Sequence, residues 1–163
     1  MRYFFEYNWQ VRDEWMAQCQ KLAPEVLYAK RVGGVGSIAY TFFHVAKVEY
    51  DWIRELQGQP GYQGKAYEEL TEFDGLVQLS QDLRQGLRPF VEGWEDTQEG
   101  KILHLREGTE SEIYCTYGEV MRHVIAHEIH HMGQLSVWFR EMDLAPVSAN
   151  VIHRGLFINN QHL

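Results

Sequence analysis

A chain of 163 residues, 45% hydrophobic and carrying five Trp, nine Tyr and eight Phe, has the size and apolar content of one domain spanning 1–163. Such a composition excludes a disordered chain. Fifteen basic residues against 23 acidic ones give a formal charge of −8, and no basic stripe is present to neutralise the phosphates of a nucleic acid or an anionic membrane.

The opening MRYFFEYNWQVRDEW is broken by charge too early for a secretory signal. No apolar run approaches the ~20 residues of a membrane span. The expected setting is therefore the reducing cytoplasm. Cys19 and Cys115 stand alone without a CxxC partner and read as buried thiols rather than as a disulfide or ligands.

The first helical pattern runs from about Tyr3 to Leu22, with Phe4, Val11, Trp15, Cys19 and Leu22 at helical spacing and Pro24 just past the end. After the loop KRVGGVG, Ser37 can cap a second helix that reaches Leu56 and stops at GQPGYQG. Its stripe is Thr41, Val45, Val48, Trp52 and Leu56, with His44 on the edge of that face. Asp74 can cap a third helix with the stripe Leu76, Leu79, Leu83, Leu87, Phe90 and Trp94. Pro89 inside it predicts a kink or a break.

KILHLRE and SEIYCTY are short β-prone runs separated by Gly108-Thr109, which predicts a hairpin. Thr116-Tyr117-Gly118-Glu119 then matches a capping box, Thr as N-cap and Glu three residues on. A long helix follows to about Met142, with Val120, Val124, His127, His131, Leu135, Trp138 and Met142 spaced by threes and fours. The tail from Ala145 to Leu163 is expected to pack over the outside. Trp9 or Trp94, taken as exposed, would offer a contact for a homodimer. The sum is an all-α fold, an antiparallel four-helix bundle with a small β-hairpin insertion before the last long helix.

In the last helix RHVIAHEIHHMGQL packs four histidines into a short span. His127 and His131 are four apart, one turn above the other on the apolar face. Two readings fit such a pair. The rings are core histidines bonded to backbone or water, or a divalent cation satisfies nitrogens that burial would otherwise leave costly. His44, beside Val48 and Trp52, is the candidate third ligand. His123 and His130 form another pair, slightly rotated, which either supports the first or displaces members of it. His104 in the hairpin and His153 and His162 in the tail are weaker candidates. Three imidazoles from two helices would leave a coordination position open, the mark of a catalytic rather than a structural metal.

Read literally, His127-Glu128-Ile129-His130-His131 is the HExxH string of zinc proteases. The rest of that pattern is missing. Gln134 stands where a metzincin has Gly, Glu141 is too close to be a distant third ligand, and no convincing sheet precedes the helix to pair with an extended substrate. Glu128, the one candidate catalytic residue, lies about 100° round from His127. It either leans in as a weak general base or is solvated or structural.

GSIAYTFFHVAKVEYDWI, from Gly36 to Ile53, together with MRHVIAHEIHHMGQL and the aromatic opening YNWQVRDEWM, resembles the DinB/YfiT-like superfamily of small four-helix-bundle metalloproteins over most of the chain. Carried over, the family's metal triad falls on His44, His127 and His131. Met132 departs from the pattern, because many members have Arg there. The resemblance implies a divalent metal, zinc or nickel, and frequent dimerisation. It also implies a low-molecular-weight thiol in some members, with activities ranging from thiol-dependent transfer or isomerisation to metal-dependent hydrolysis. The expected function is thiol S-transfer to a small electrophile or hydrolysis of a small molecule. The rival from another class is a non-catalytic, stress-associated metal-binding protein, its site closed by a fourth protein ligand.

Overall fold

The computed structural model describes residues 1–107 and 111–156. They are mostly helical, with one small antiparallel hairpin. The order is α1 (Arg2–Cys19), a short α2 (Pro24–Tyr28), α3 (Ile38–Leu56), α4 (Phe73–Glu92), β1 (Ile102–Glu107), β2 (Ser111–Thr116) and α5 (Tyr117–Glu141). Helix α3 lies against α4 and α5, and α1 lies against the same two. No described helix is long and apolar enough to cross a membrane.

Local chemistry explains the boundaries. Helix α1 ends at Cys19, short of Leu22, and tight turns close it as Lys21 N–H donates to Gln18 O and Leu22 N–H to Cys19 O. Pro24 does not merely follow a helix; it opens α2 at its first position, with Ala23 extended before it. Ser37 caps α3 as expected, its Oγ accepting from Tyr40 N–H at 3.1 Å.

Helix α4 begins at Phe73, so Asp74 is not its cap. Asp74 sits in the first turn, where a negative charge suits the helix dipole, and accepts from Gln20 Nε2 at 2.7 Å. The helix also runs through Pro89 to Glu92 without a break. Proline so near the end removes one intrahelical bond, and buried Leu87 and Val91 hold the last turn in place.

The hairpin pairs Ile102 with Thr116 and Leu105 with Ile113, and its tip at 108–110 lies outside the described residues. Thr116 then starts α5 with the full capping box: its Oγ1 accepts from Glu119 N–H at 3.1 Å, and Glu119 Oε2 accepts from Thr116 N–H at 2.6 Å.

The core has two apolar clusters. One gathers Val11, Trp15, Phe42, Leu76, Leu135 and Phe139, with Trp15 edge-on to Phe139 at 4.7 Å. The other gathers Phe5, Trp9, Ile53, Leu87, Val91 and Val124. On each long helix a buried polar residue sits between members of the two: Arg12 on α1, Glu49 on α3, Ser80 on α4 and Glu128 on α5.

These four residues meet. Arg12 donates through Nε and Nη2 to both oxygens of Glu128 at 2.6 Å, through Nη2 to Glu49 at 2.7 Å, and through Nη1 to Ser80 Oγ at 3.3 Å. Trp9 Nε1 donates to the other oxygen of Glu49 at 2.6 Å. Trp9 is therefore 1% exposed and cannot line a dimer contact, while Trp94 is half-buried against Phe90. Phe4, placed in the α1 stripe by spacing, is on the exposed side, and Phe5 takes the core position. Of the tail, Val147 is buried and Ala149 O accepts from Tyr7 Oη at 2.7 Å, which lays the segment over α1.

Candidate metal centre

His44 sits two turns into α3 from its Ser37 cap, and His127 and His131 lie one turn apart midway along α5. Packing of α3 on α5 brings the three rings together. His44 Nε2 lies 3.0 Å from His127 Nε2, and His131 Nε2 lies 3.1 Å from the same atom. Among the described residues these three form the one group able to offer converging metal-ligand atoms, all within 4.8 Å of one another.

The tautomers make this convergence informative. His131 Nδ1 is 2.8 Å from Gln134 Oε1, an amide oxygen that can only accept, so Nδ1 carries the ring proton and Nε2 presents its lone pair. The Gln134 amide is completed by Nε2 donating to His130 Nε2 at 2.9 Å. His127 Nε2 faces two Nε2 atoms at once, so neutral rings supply too few protons for every contact to be a hydrogen bond. A divalent cation with Zn–N near 2.0–2.1 Å sets tetrahedral ligands roughly 3.3 Å apart, close to the 3.0 and 3.1 Å that separate His127 Nε2 from the other two. The donor set therefore fits a metal.

Burial lowers the pKa of all three rings. His127 is pushed down to about 4, by burial first and then by His131, His44, His123 and His130 around it. His44 is lowered by burial, then by His131 and Lys47, and His131 by burial, with the Gln134 bond opposing. At neutral pH these rings are uncharged, the form a metal would require of its ligands.

The other candidates separate from the triad. His123 and His130 are exposed and stand beside it, with ring centres 5.8 Å from His127 and 5.3 Å from His131 respectively. His104 stacks on Tyr114 at 4.4 Å in the hairpin. His153 is exposed in the tail, and His162 lies outside the described residues. Glu128 is 1% exposed with both oxygens on Arg12, so it is structural, neither solvated nor free to act as a base beside His127. Met132 is buried in the apolar core, so this chain keeps no cation at that place.

Spacing did not single out Gln134, which orients His131, or Arg12 and Glu49. One signal for Arg12 was present: a lone cation at helical spacing between Asn8, Trp9, Trp15 and Cys19, all on the apolar side of α1. Gln134 is in turn hemmed in by the KRVGGVG loop. A Cβ on Gly34 would come within 2.9 Å of Gln134 Oε1 and 3.0 Å of Trp138, and Gly34 has φ +56°.

The chain is 42% identical over 158 residues, 96% of either sequence, to a Bacillus subtilis (strain 168) protein named "Uncharacterized protein YizA". A family model described as the DinB family matches residues 1–154. The chain belongs to the DinB family.

Proposed function

We propose that this protein is a cytoplasmic, divalent-metal-dependent enzyme built as an antiparallel four-helix bundle, with His44, His127 and His131 as the metal ligands. The observation that carries the proposal is the convergence of three uncharged Nε2 atoms with too few protons to satisfy one another. Zinc or nickel, when bound, supplies Lewis acidity toward a thiol or water.

The chain's own residues do the rest. Gln134 holds the His131 tautomer, burial keeps the rings neutral, and exposed His123 and His130 flank the approach. Among the described residues no carboxylate converges with the triad, which favours a nucleophile that needs no carboxylate base. A low-molecular-weight thiol transferred to a small electrophile is the leading reaction, ahead of hydrolysis. Glu128 cannot serve as the base of an HExxH protease while it is tied to Arg12. Exposed Phe4 and Ile129, which line one cleft between α1 and α5, are the apolar surface on which a homodimer is proposed.

Calorimetric titration with Zn²⁺ and Ni²⁺ tests the site: one ion per chain is expected, lost in His44→Ala while the helical circular dichroism remains. Full binding by His44→Ala would remove the third ligand from the assignment. A turnover screen of the loaded protein tests the reaction, pairing electrophiles with small thiols and, separately, esters and amides without thiol. No turnover in either arm would leave a metal-binding protein instead of an enzyme.

A further inference from the structure

A cavity of about 200 Å³ lies between α3, the start of α5 and the hairpin, lined by Trp52, Ile113, Cys115, Glu119, Val120 and His123. His44 meets His127 and, further along α3, Trp52 meets the earlier His123, so these two helices run in opposite directions at this contact. The cavity is consequently one helical turn from the histidine triad. His123 is the shared wall, its ring centre 5.7 Å from Trp52 on one side and 5.8 Å from His127 on the other.

The lining selects a chemistry. Among the described residues no lysine or arginine lines the cavity, so a carboxylate or phosphate would find no cation among them. The one charged wall, Glu119, is engaged by the α5 cap through Thr116 N–H and Oγ1 at 2.6 and 2.9 Å. On the other side of Trp52 lie Glu55, which adds to the negative surroundings, and Asp51, whose charge is paired with Lys47. The remaining surfaces are an indole, an imidazole, two branched alkyl chains and a thiol. Trp52 and His123 pack edge-to-face at 73°, so this wall of the cavity is aromatic. An apolar cavity of ~150 Å³ is large enough for benzene, so this one suits a single substituted ring.

We propose that this cavity is the specificity pocket of the metal site and binds an uncharged single-ring aromatic group of the substrate, whose reacting end reaches past His123 to the histidine triad. Its role in catalysis rests on the metal-enzyme reading above, but its binding does not, because no wall of the cavity is a proposed ligand. It also gives the hairpin a purpose: Ile113 and Cys115 of β2 close one side of the pocket.

Fluorine NMR of 4-fluorobenzyl alcohol titrated with the protein tests the proposal. Saturable broadening or shift of the signal is expected with the wild-type chain and, undiminished, with His44→Ala. Ile113→Trp should fill the pocket from the partly exposed hairpin, and Trp52→Ala should remove its flat wall. Both should lose most of the saturable effect, with circular dichroism checking that each is folded. 4-Fluorobenzoate should bind at least several-fold more weakly than the alcohol. Absence of saturable binding to the wild type, equal binding of the benzoate, or unchanged binding in both pocket variants would overturn the proposal. Ring binding by a chain that takes up no metal would instead sink the metal reading and keep the pocket, so the two failures are distinct.

Discussion

The Arg12 layer and the histidine triad are both polar groups set into the packed interior, yet they are finished differently. Around Arg12 every guanidinium nitrogen has an acceptor, supplied by two carboxylates and a serine, and a neighbouring indole donates to the remaining Glu49 oxygen, so that four helices contribute. Burial works against the Arg12 charge, but Glu128 and Glu49 outweigh it and hold the guanidinium above its ordinary range. The triad has the opposite composition, with acceptors that converge and too few protons between them. A buried polar group closed by its own protein serves the fold, whereas one left open at its centre is ready for a ligand. Glu128 and His127, adjacent in sequence, fall on the two sides of that distinction.

The sharpest way to break this contrast is to open the closed network. Arg12→Met strands two buried carboxylates and should cost about 3–5 kcal/mol in urea unfolding. Replacing Glu49 and Glu128 by apolar residues in the same chain should recover much of that loss, since a whole buried ion network exchanged for apolar packing is often neutral. A loss within ~0.5 kcal/mol for Arg12→Met, the range of ordinary surface changes, would show that the layer does not hold the helices together.

A smaller effect is expected from loosening the open site without touching a ligand. Gln134→Ala removes the acceptor that fixes the His131 tautomer and should weaken Zn²⁺ binding by about 10- to 100-fold in a competition titration. Gln134→Glu retains an acceptor and should restore most of the affinity. Equal affinity for all three chains would leave the amide no part in the site.

The smallest effect concerns protons. His127 titrates at about 4 when folded against 6.5 ordinarily, so between those values the unfolded chain binds more protons than the folded one. Stability of the metal-free protein from this ring therefore rises with pH across that window and is lost as pH falls from about 6.5 toward about 4. Urea midpoints measured over this range should fall in acid, and less steeply in His127→Ala. Identical slopes would show that His127 is not desolvated.

Much of the architecture was legible because its signals are local. Ser37 and Thr116 cap their own helices, the HxxxH spacing puts His127 and His131 on one face, and the β-prone runs pair as a hairpin. The errors came where a neighbour decides. Trp9 and Phe4 could not be assigned from spacing, because the buried arc of α1 is defined by what α3, α4 and α5 place against it. Asp74 had the right chemistry for a cap but a partner on α1, and Pro89 did not break α4 because buried residues on either side secure the turn.

The sequence by itself determined the four long helices, the caps of α3 and α5 and the residue types of a nitrogen-only candidate metal site, since each depends on contacts within a few residues. Only the tertiary structure decided that Glu128 faces Arg12 rather than the triad, that Gln134 orients His131, and that the ring of His44, already a candidate from its place on α3, lies against His127. Those relations depend on how α3 and α5 are packed, and side chains that meet across two helices leave no periodic trace in either one.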